Sequence, residues 1–224
     1  YLLDALTKLD GDPQRRRFQE ADLQHMLGET YRLANAAPSE ALPFYEKAVG
    51  LHPQHPTAVI SYARALAASR REKEAVSVLQ ASLRQQPERL DLALQLGNIY
   101  QGLGQDQEAV KLYERVIKAK PDDFEAMNQL CWVLATSADP KVRLPGKALP
   151  LAQKIAQRHA KNPLALDIVA AAFASAGQFD QAVTHVDRAL PLAQQRRDRR
   201  LVQELQQRRA LYQKGQPFIR KRPS

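Results

Sequence analysis

Five histidines, one cysteine and a basic C-terminal run are the side chains in this 224-residue sequence that could carry chemistry. Imidazoles and thiols bind metals, or act as bases and nucleophiles, when further ligands or a partner base stand beside them. Of His25, His52, His55, His159 and His185, only His52-Pro-Gln-His55 forms a close pair. Neither a cysteine nor an acidic residue neighbours it in the sequence, so it reads as a turn that holds two imidazoles, not a metal centre. Cys131 has no second cysteine to pair with, and its place among small residues marks a buried thiol. There is no Gly-rich phosphate loop, no serine nucleophile elbow and no His-Glu-x-x-His. Asp122-Asp123 reads as a cap for the helix that follows. The sequence is therefore read as non-enzymatic, with no catalytic residues, no metal, no cofactor and no small-molecule substrate.

Charge is the second signal. The net charge is +9, and from Arg188 onward eleven Lys or Arg face only Asp198 and Glu204, so the excess lies wholly at the C-terminus. Arg196, Arg197, Arg199, Arg200, Arg208, Arg209 and Arg220-Lys221-Arg222 offer contacts to nucleic acid, an anionic membrane or an acidic protein, or else form a solvated final helix with a frayed end. Aromatic interleaving is limited to Tyr212 and Phe218, too little for a base-stacking surface.

The elements that position these groups follow a 34-residue ruler. Pro53, Pro87 and Pro121 keep that spacing, as do Ala41, Ala75 and Ala109, and Tyr45, Leu79 and Tyr113. Several columns in phase imply a repeat architecture. Leu90 to Asp123 reads as two amphipathic helices around a Gly-containing turn, with Gly97 and Ala109 letting backbones approach and Pro121 stopping the second helix. Leu96, Gly97, Tyr100, Ala109, Tyr113 and Pro121 resemble the tetratricopeptide repeat (TPR), of the bacterial multi-repeat type. Sliding that template gives units at 21–55, 56–89, 90–123, 124–162 and 163–196. In the first, Leu27, Gly28 and Tyr31 precede Ala41, Tyr45 and Pro53. The second carries Tyr62, Ala63 and Leu66 with Ala75 and Pro87. The fourth stretches Leu130, Cys131 and Leu134 to Ala148 through a five-residue insertion, made a loop by Pro140 and Pro145. The fifth has Val169, Ala170, Phe173, Gly177 and Ala182.

Residues 1–20 form an N-terminal helical segment, with a short helix over Tyr1–Leu9 and a new helix opened by Asp12-Pro13. Residues 197–214 form a capping helix through Leu201, Leu205 and Leu211, and 215–224 a basic tail. The expected fold is all-α: a right-handed superhelical solenoid of antiparallel helix pairs. No run of about 18 apolar residues occurs, which predicts a soluble chain, in bacterial cytoplasm or periplasm. Opening on Tyr1 without an initiator Met, the sequence is read as a trimmed chain or a piece of a larger protein.

What the resemblance implies is binding through shape, with first-helix positions facing a concave groove that takes a partner protein or peptide. By register these are His25, Glu29 and Arg32, then Ile60 and Arg64, then Leu94, Asn98 and Gln101, then Asn128 and Trp132. Trp132 is either an aromatic anchor in that groove or packs under the Asp139–Gly146 insertion. The basic pairs of the family's carboxylate-clamp subset are missing: His25 with Glu29, Ser61, and Asp91 with Gln95 stand in their places. The reading is a protein-interaction scaffold. The alternatives are an accessory TPR domain of a larger bacterial envelope or glycan-processing protein, or an adaptor to an anionic partner through the basic C-terminus.

Overall fold

The computed structural model describes residues 11–221, so the short helix expected over Tyr1–Leu9 and the side chain of Arg222 lie outside the described residues. Eleven helices and no strand occur among the described residues. They form two compact units that meet in sequence at Ile99 and Tyr100.

The first unit contains α1 (Pro13–Leu33), α2 (Pro38–Leu51), α3 (Ala58–Ala68), α4 (Glu72–Gln85) and most of α5 (Leu90–Gly102). Asp12 caps α1 by accepting from the Arg15 N–H at 2.8 Å, with Pro13 in the first turn where its missing N–H costs nothing. Asn35, at φ 54°, reverses the chain before Pro38 restarts it. Helices α2 and α4 stop two residues before Pro53 and Pro87, as α6 does before Pro121. Neighbouring helices pack in sequence, α1 on α2, α2 on α3 and α3 on α4. The alanine column and the Tyr45, Leu79 and Tyr113 column are buried. Gly28 of α1 faces the Tyr45 ring so closely that a Cβ there would lie 2.5 Å from a ring carbon.

The second unit holds α6 (Asp106–Ala119), α7 (Phe124–Thr136), α8 (Pro145–Arg158), α9 (Pro163–Ser175), α10 (Phe179–Gln195) and α11 (Arg199–Gln213). Asp123, Asn162 and Asp198 cap α7, α9 and α11. Successive helices pack from α6 through α11, and α9 also touches α7 and α11. The insertion between α7 and α8 is pinned by the Leu144 N–H donating to Leu134 O at 2.9 Å and by buried Val142. Leu201, Leu205 and Tyr212 of α11 close the core around Leu166, Ala170, Val186 and Ala189. A buried ion pair ties α11 to α9: Arg208 donates to both Asp167 oxygens at 2.8 and 2.7 Å.

The described part of the basic tail expected over 215–224 folds back on the second unit. Gly215, at φ 68°, turns the chain back after α11, with the Gln216 N–H donating to Leu211 O at 3.0 Å. The segment then returns across the unit, where Phe218 packs on the core and Arg220 donates to both oxygens of Asp106 at 2.7 Å. Asp106 is 7% exposed, and a carboxylate taken so far out of water needs a cation. Arg200, Arg208 and Arg209 are also paired, with Glu204, Asp167 and Asp187, so part of the basic excess is neutralised within the fold.

Candidate functional site

Five of the residues expected in a groove lie together in the first unit. His25, Glu29 and Arg32 stand on consecutive turns of α1, Ile60 and Arg64 on consecutive turns of α3, and all five line a cleft of about 660 Å³. Its floor is apolar, with Ala41, Tyr45, Ala65 and Ala68 among the lining residues, while the two arginines are exposed. Spacings of three and four residues put each set on one helix face.

A polar network fixes the α1 wall. Glu29 Oε1 accepts from the Tyr45 hydroxyl at 2.8 Å and the Ser61 hydroxyl at 3.0 Å, and Glu29 Oε2 accepts from Arg32 Nε at 2.8 Å. Burial alone would push the Glu29 carboxyl upward, but the bonds from Arg32, Tyr45 and Ser61 outweigh it and hold the group below its ordinary value. Burial, then the hydrogen bond to Glu29, pushes Tyr45 well above the usual phenol range. His25 Nε2 lies 3.1 Å from Ser61 Oγ, and burial, then the nearby His55 ring, lowers its pKa. With the Ser61 proton given to Glu29, His25 Nε2 must carry its own and donate. Serine, histidine and a carboxylate thus meet, but the serine proton goes to the carboxylate and not to the imidazole. That order differs from the serine–histidine–carboxylate relay, in which the imidazole takes the serine proton.

On the α3 wall Arg64 Nε donates to Oε1 of the buried Gln95 at 2.7 Å. Among the described residues the guanidinium is held by this neutral amide. Arg89 claims Asp91 through two bonds, which lower the Asp91 pKa.

The remaining expected positions are placed as follows. Leu94 and Asn98 lie half-buried on α5 of the first unit, outside the lining of this cleft. Gln101, of the second unit, accepts from the Tyr113 hydroxyl at 2.8 Å. Asn128 and Trp132 sit one turn apart on α7 of the second unit, both half-buried, and Asn128 Oδ1 is buried with no hydrogen-bond partner among the described residues. Trp132 is half-buried, and the ring and the cation that stand against it come from the C-terminal segment and α11. Its ring lies 5.8 Å from that of Phe218, and the Arg208 guanidinium stands 5.4 Å above it. The C-terminal segment covers it because Gly215 sends that segment back over α7.

Two features escaped the sequence. The His52/His55 pair does have an acidic neighbour, Asp22 of α1, 2.9 Å from His55 Nε2. His55 Nδ1 accepts from the Ala58 N–H at 3.1 Å, so this imidazole begins α3 in the way a capping side chain does. No group of three metal-ligating residues is assembled among the described residues. The second feature, the Asp106 seat for Arg220, joins residues more than a hundred positions apart. Cys131 is buried, which raises its thiol pKa to about 12 and keeps it protonated at neutral pH. Among the described residues no helix is long and apolar enough to cross a membrane.

The tetratricopeptide-repeat family model matches residues 32–88 and again 69–131. No curated protein matches the chain. Among solved structures, YrrB, a TPR protein with an unusual peptide-binding site, is similar at 20% identity over 92% of this chain and 97% of its own, with a TM-score of 0.61. TTC0263, a thermophilic TPR protein of Thermus thermophilus, aligns at 19% identity over 86% of this chain and 98% of its own, with a TM-score of 0.64. The pilF protein of Pseudomonas aeruginosa aligns at 16% identity over 88% and 94%, also at 0.64. Identities this low speak for the fold, and they agree with the repeat columns and the helix pairs those columns build. Residues 32–131 carry tetratricopeptide repeats, and over most of its length the chain is similar in fold to tetratricopeptide-repeat proteins.

Proposed function

We propose that the protein is a non-enzymatic interaction scaffold that takes a segment of a partner protein into the cleft between α1 and α3. The observation that carries this reading is the make-up of that cleft. Ile60 and the alanines offer an apolar seat, Tyr45 and Ser61 are locked by Glu29, and Arg64 brings a guanidinium matched by no carboxylate among the described residues. Such a surface suits a peptide with an apolar anchor and an acidic group near it, since pre-set side chains lose little entropy on binding. Leu94 and Asn98 would continue the contact along α5. Support comes from the fold, which has the helix pairs of a peptide-binding TPR protein such as YrrB.

The test uses the full chain to capture its partner from native extract, with Ile60→Asp and Arg64→Glu variants in parallel. Truncating or reversing a central anchor commonly costs about 2 kcal/mol or more. Both variants should stay folded and lose the same captured protein. A partner retained equally by wild type and both variants would refute the cleft as the binding site.

A further inference from the structure

In the second unit the C-terminal segment is bound the way a foreign peptide would be. After the Gly215 turn, residues 216–221 adopt no helix and meet α7 at Trp132 and Thr136. Two side chains anchor them. Phe218 packs beside the Trp132 ring, centroids 5.8 Å apart, and the Arg208 guanidinium stands over both rings, 5.4 Å from that of Trp132 and 5.1 Å from that of Phe218. Two residues on, Arg220 reaches a seat of acceptors: both Asp106 oxygens at 2.7 Å and Thr136 Oγ1 at 3.1 Å. The Arg220 backbone N–H also donates to Thr136 O at 2.8 Å, at the C-terminus of α7 where helix carbonyls lack internal partners. Ile219 between the anchors is 42% exposed, and Lys221 is exposed.

Other parts of the unit also hold the groups of this seat. Arg208 is fixed by Asp167 and Glu204, and Asp106 accepts from the Ser137 hydroxyl. Both Phe218 and Arg220 therefore dock onto groups that other parts of the unit already hold. One backbone bond and two alternate side-chain anchors are the pattern of peptide recognition, in which pockets supply specificity. A segment integral to the core would instead bury successive residues.

We propose that the Trp132–Thr136–Asp106 face is a binding site for extended peptides bearing an aromatic residue followed two positions later by arginine, and that the chain's own Pro217–Lys221 occupies it in competition with such a partner. This site belongs to the second unit and does not rest on the cleft of the first. The short tether gives the segment an effective concentration on the order of millimolar. A partner must exceed that competition, so the segment acts as a threshold that admits only strong or multivalent ligands.

The single tryptophan of the chain reports directly on this site. The probe is a synthetic peptide with the sequence of residues 216–221, amidated at its end, titrated into the intact chain and into the full chain carrying Phe218→Ala and Arg220→Ala. The substituted chain should show a red-shifted Trp132 emission that the peptide reverses, and it should bind at least tenfold more tightly than the intact chain. The same peptide with alanine for its arginine should lose at least tenfold in affinity. Equal binding by the two chains, or no binding by a substituted chain that circular dichroism shows to be folded, overturns the proposal. Hydrogen exchange on the intact chain is a second measurement independent of any variant. The amides of 218–221 should exchange at least tenfold faster than those of α11, since the segment opens alone. Exchange as slow as α11, or unfolding of the substituted chain, would make the segment part of the core and end the proposal.

Discussion

Adding a single methyl group at Gly28 tests the helix-pair packing at its tightest point. An alanine Cβ there would lie 2.5, 2.7 and 2.9 Å from three ring carbons of Tyr45. Carbons in contact prefer about 3.5–4.0 Å, so the ring must retreat by about 1 Å. Tyr45 is only 1% exposed and its hydroxyl is tied to Glu29, so retreat strains the core and disturbs a hydrogen bond. Overpacking of this kind costs about 1–3 kcal/mol, and the weakened bond adds about 1 kcal/mol. Replacing a helical glycine by alanine returns up to about 1 kcal/mol of backbone propensity. Gly28→Ala should therefore destabilise by about 1–3 kcal/mol, read as a lower urea midpoint at unchanged slope. Gly50→Ala is the control, because nothing lies within 4 Å of a Cβ built there and only the propensity gain remains. The second repeat supplies the rescue: it carries Ala63 in the glycine column and Leu79 in the tyrosine column. Gly28→Ala with Tyr45→Leu should recover part of the loss. Equal midpoints for Gly28→Ala and Gly50→Ala would refute the packing derived for this column.

Gly97→Leu should damage stability more than Gly102→Ala, because Gly97 is buried while a Cβ at Gly102 meets nothing within 4 Å; comparable melting temperatures would contradict the register. Arg208→Met should cost about 3–5 kcal/mol by stranding the buried Asp167, whose carboxyl burial already pushes up to about 6 against the pull of Arg208, and Asp167→Leu with Arg208→Met should recover most of it in a chemical denaturation series. Acidification should weaken the first unit. Burial lowers His25 below the ordinary 6.5, so the unfolded chain takes up a proton that the folded one refuses as pH drops through 6.5. The lowered Glu29 adds loss of the same sign further into the acid range. Asp167 titrates with the opposite sign, so the readout is the difference between wild type and His25→Gln from pH 7.5 to 5.5; identical pH slopes would refute the assignment.

What could be read from residue order alone follows from how each contact is made. The repeat columns were legible because helix pairing is local and recurs: Ala41, Ala75 and Ala109 meet the same neighbours at each repeat, so their spacing shows. The same holds for the α1–α3 cleft, since His25, Glu29, Arg32, Ile60 and Arg64 follow from helical register once the repeat is known. Asp106 and Arg220 are different. They sit in sequence as one helix-start carboxylate and one tail cation, and only the reversal at Gly215 brings them together. For the same reason Trp132 gave no sign that Phe218 would cover it, and His55 no sign that Asp22, on another helix, would hold its imidazole. Charge counting overestimated the tail's availability, because formal charges do not reveal which are already spent on buried partners.

The claim that the α1–α3 cleft receives a partner is tested most directly by a photo-crosslinking residue placed at position 60 in the full chain, in its native cell. Position 77, exposed on α4 and outside the cleft lining, serves as the control. Position 60 should yield a discrete crosslinked partner that Arg64→Glu abolishes and position 77 fails to capture. The same partner captured at both positions, or capture at position 60 undiminished by Arg64→Glu, would contradict it.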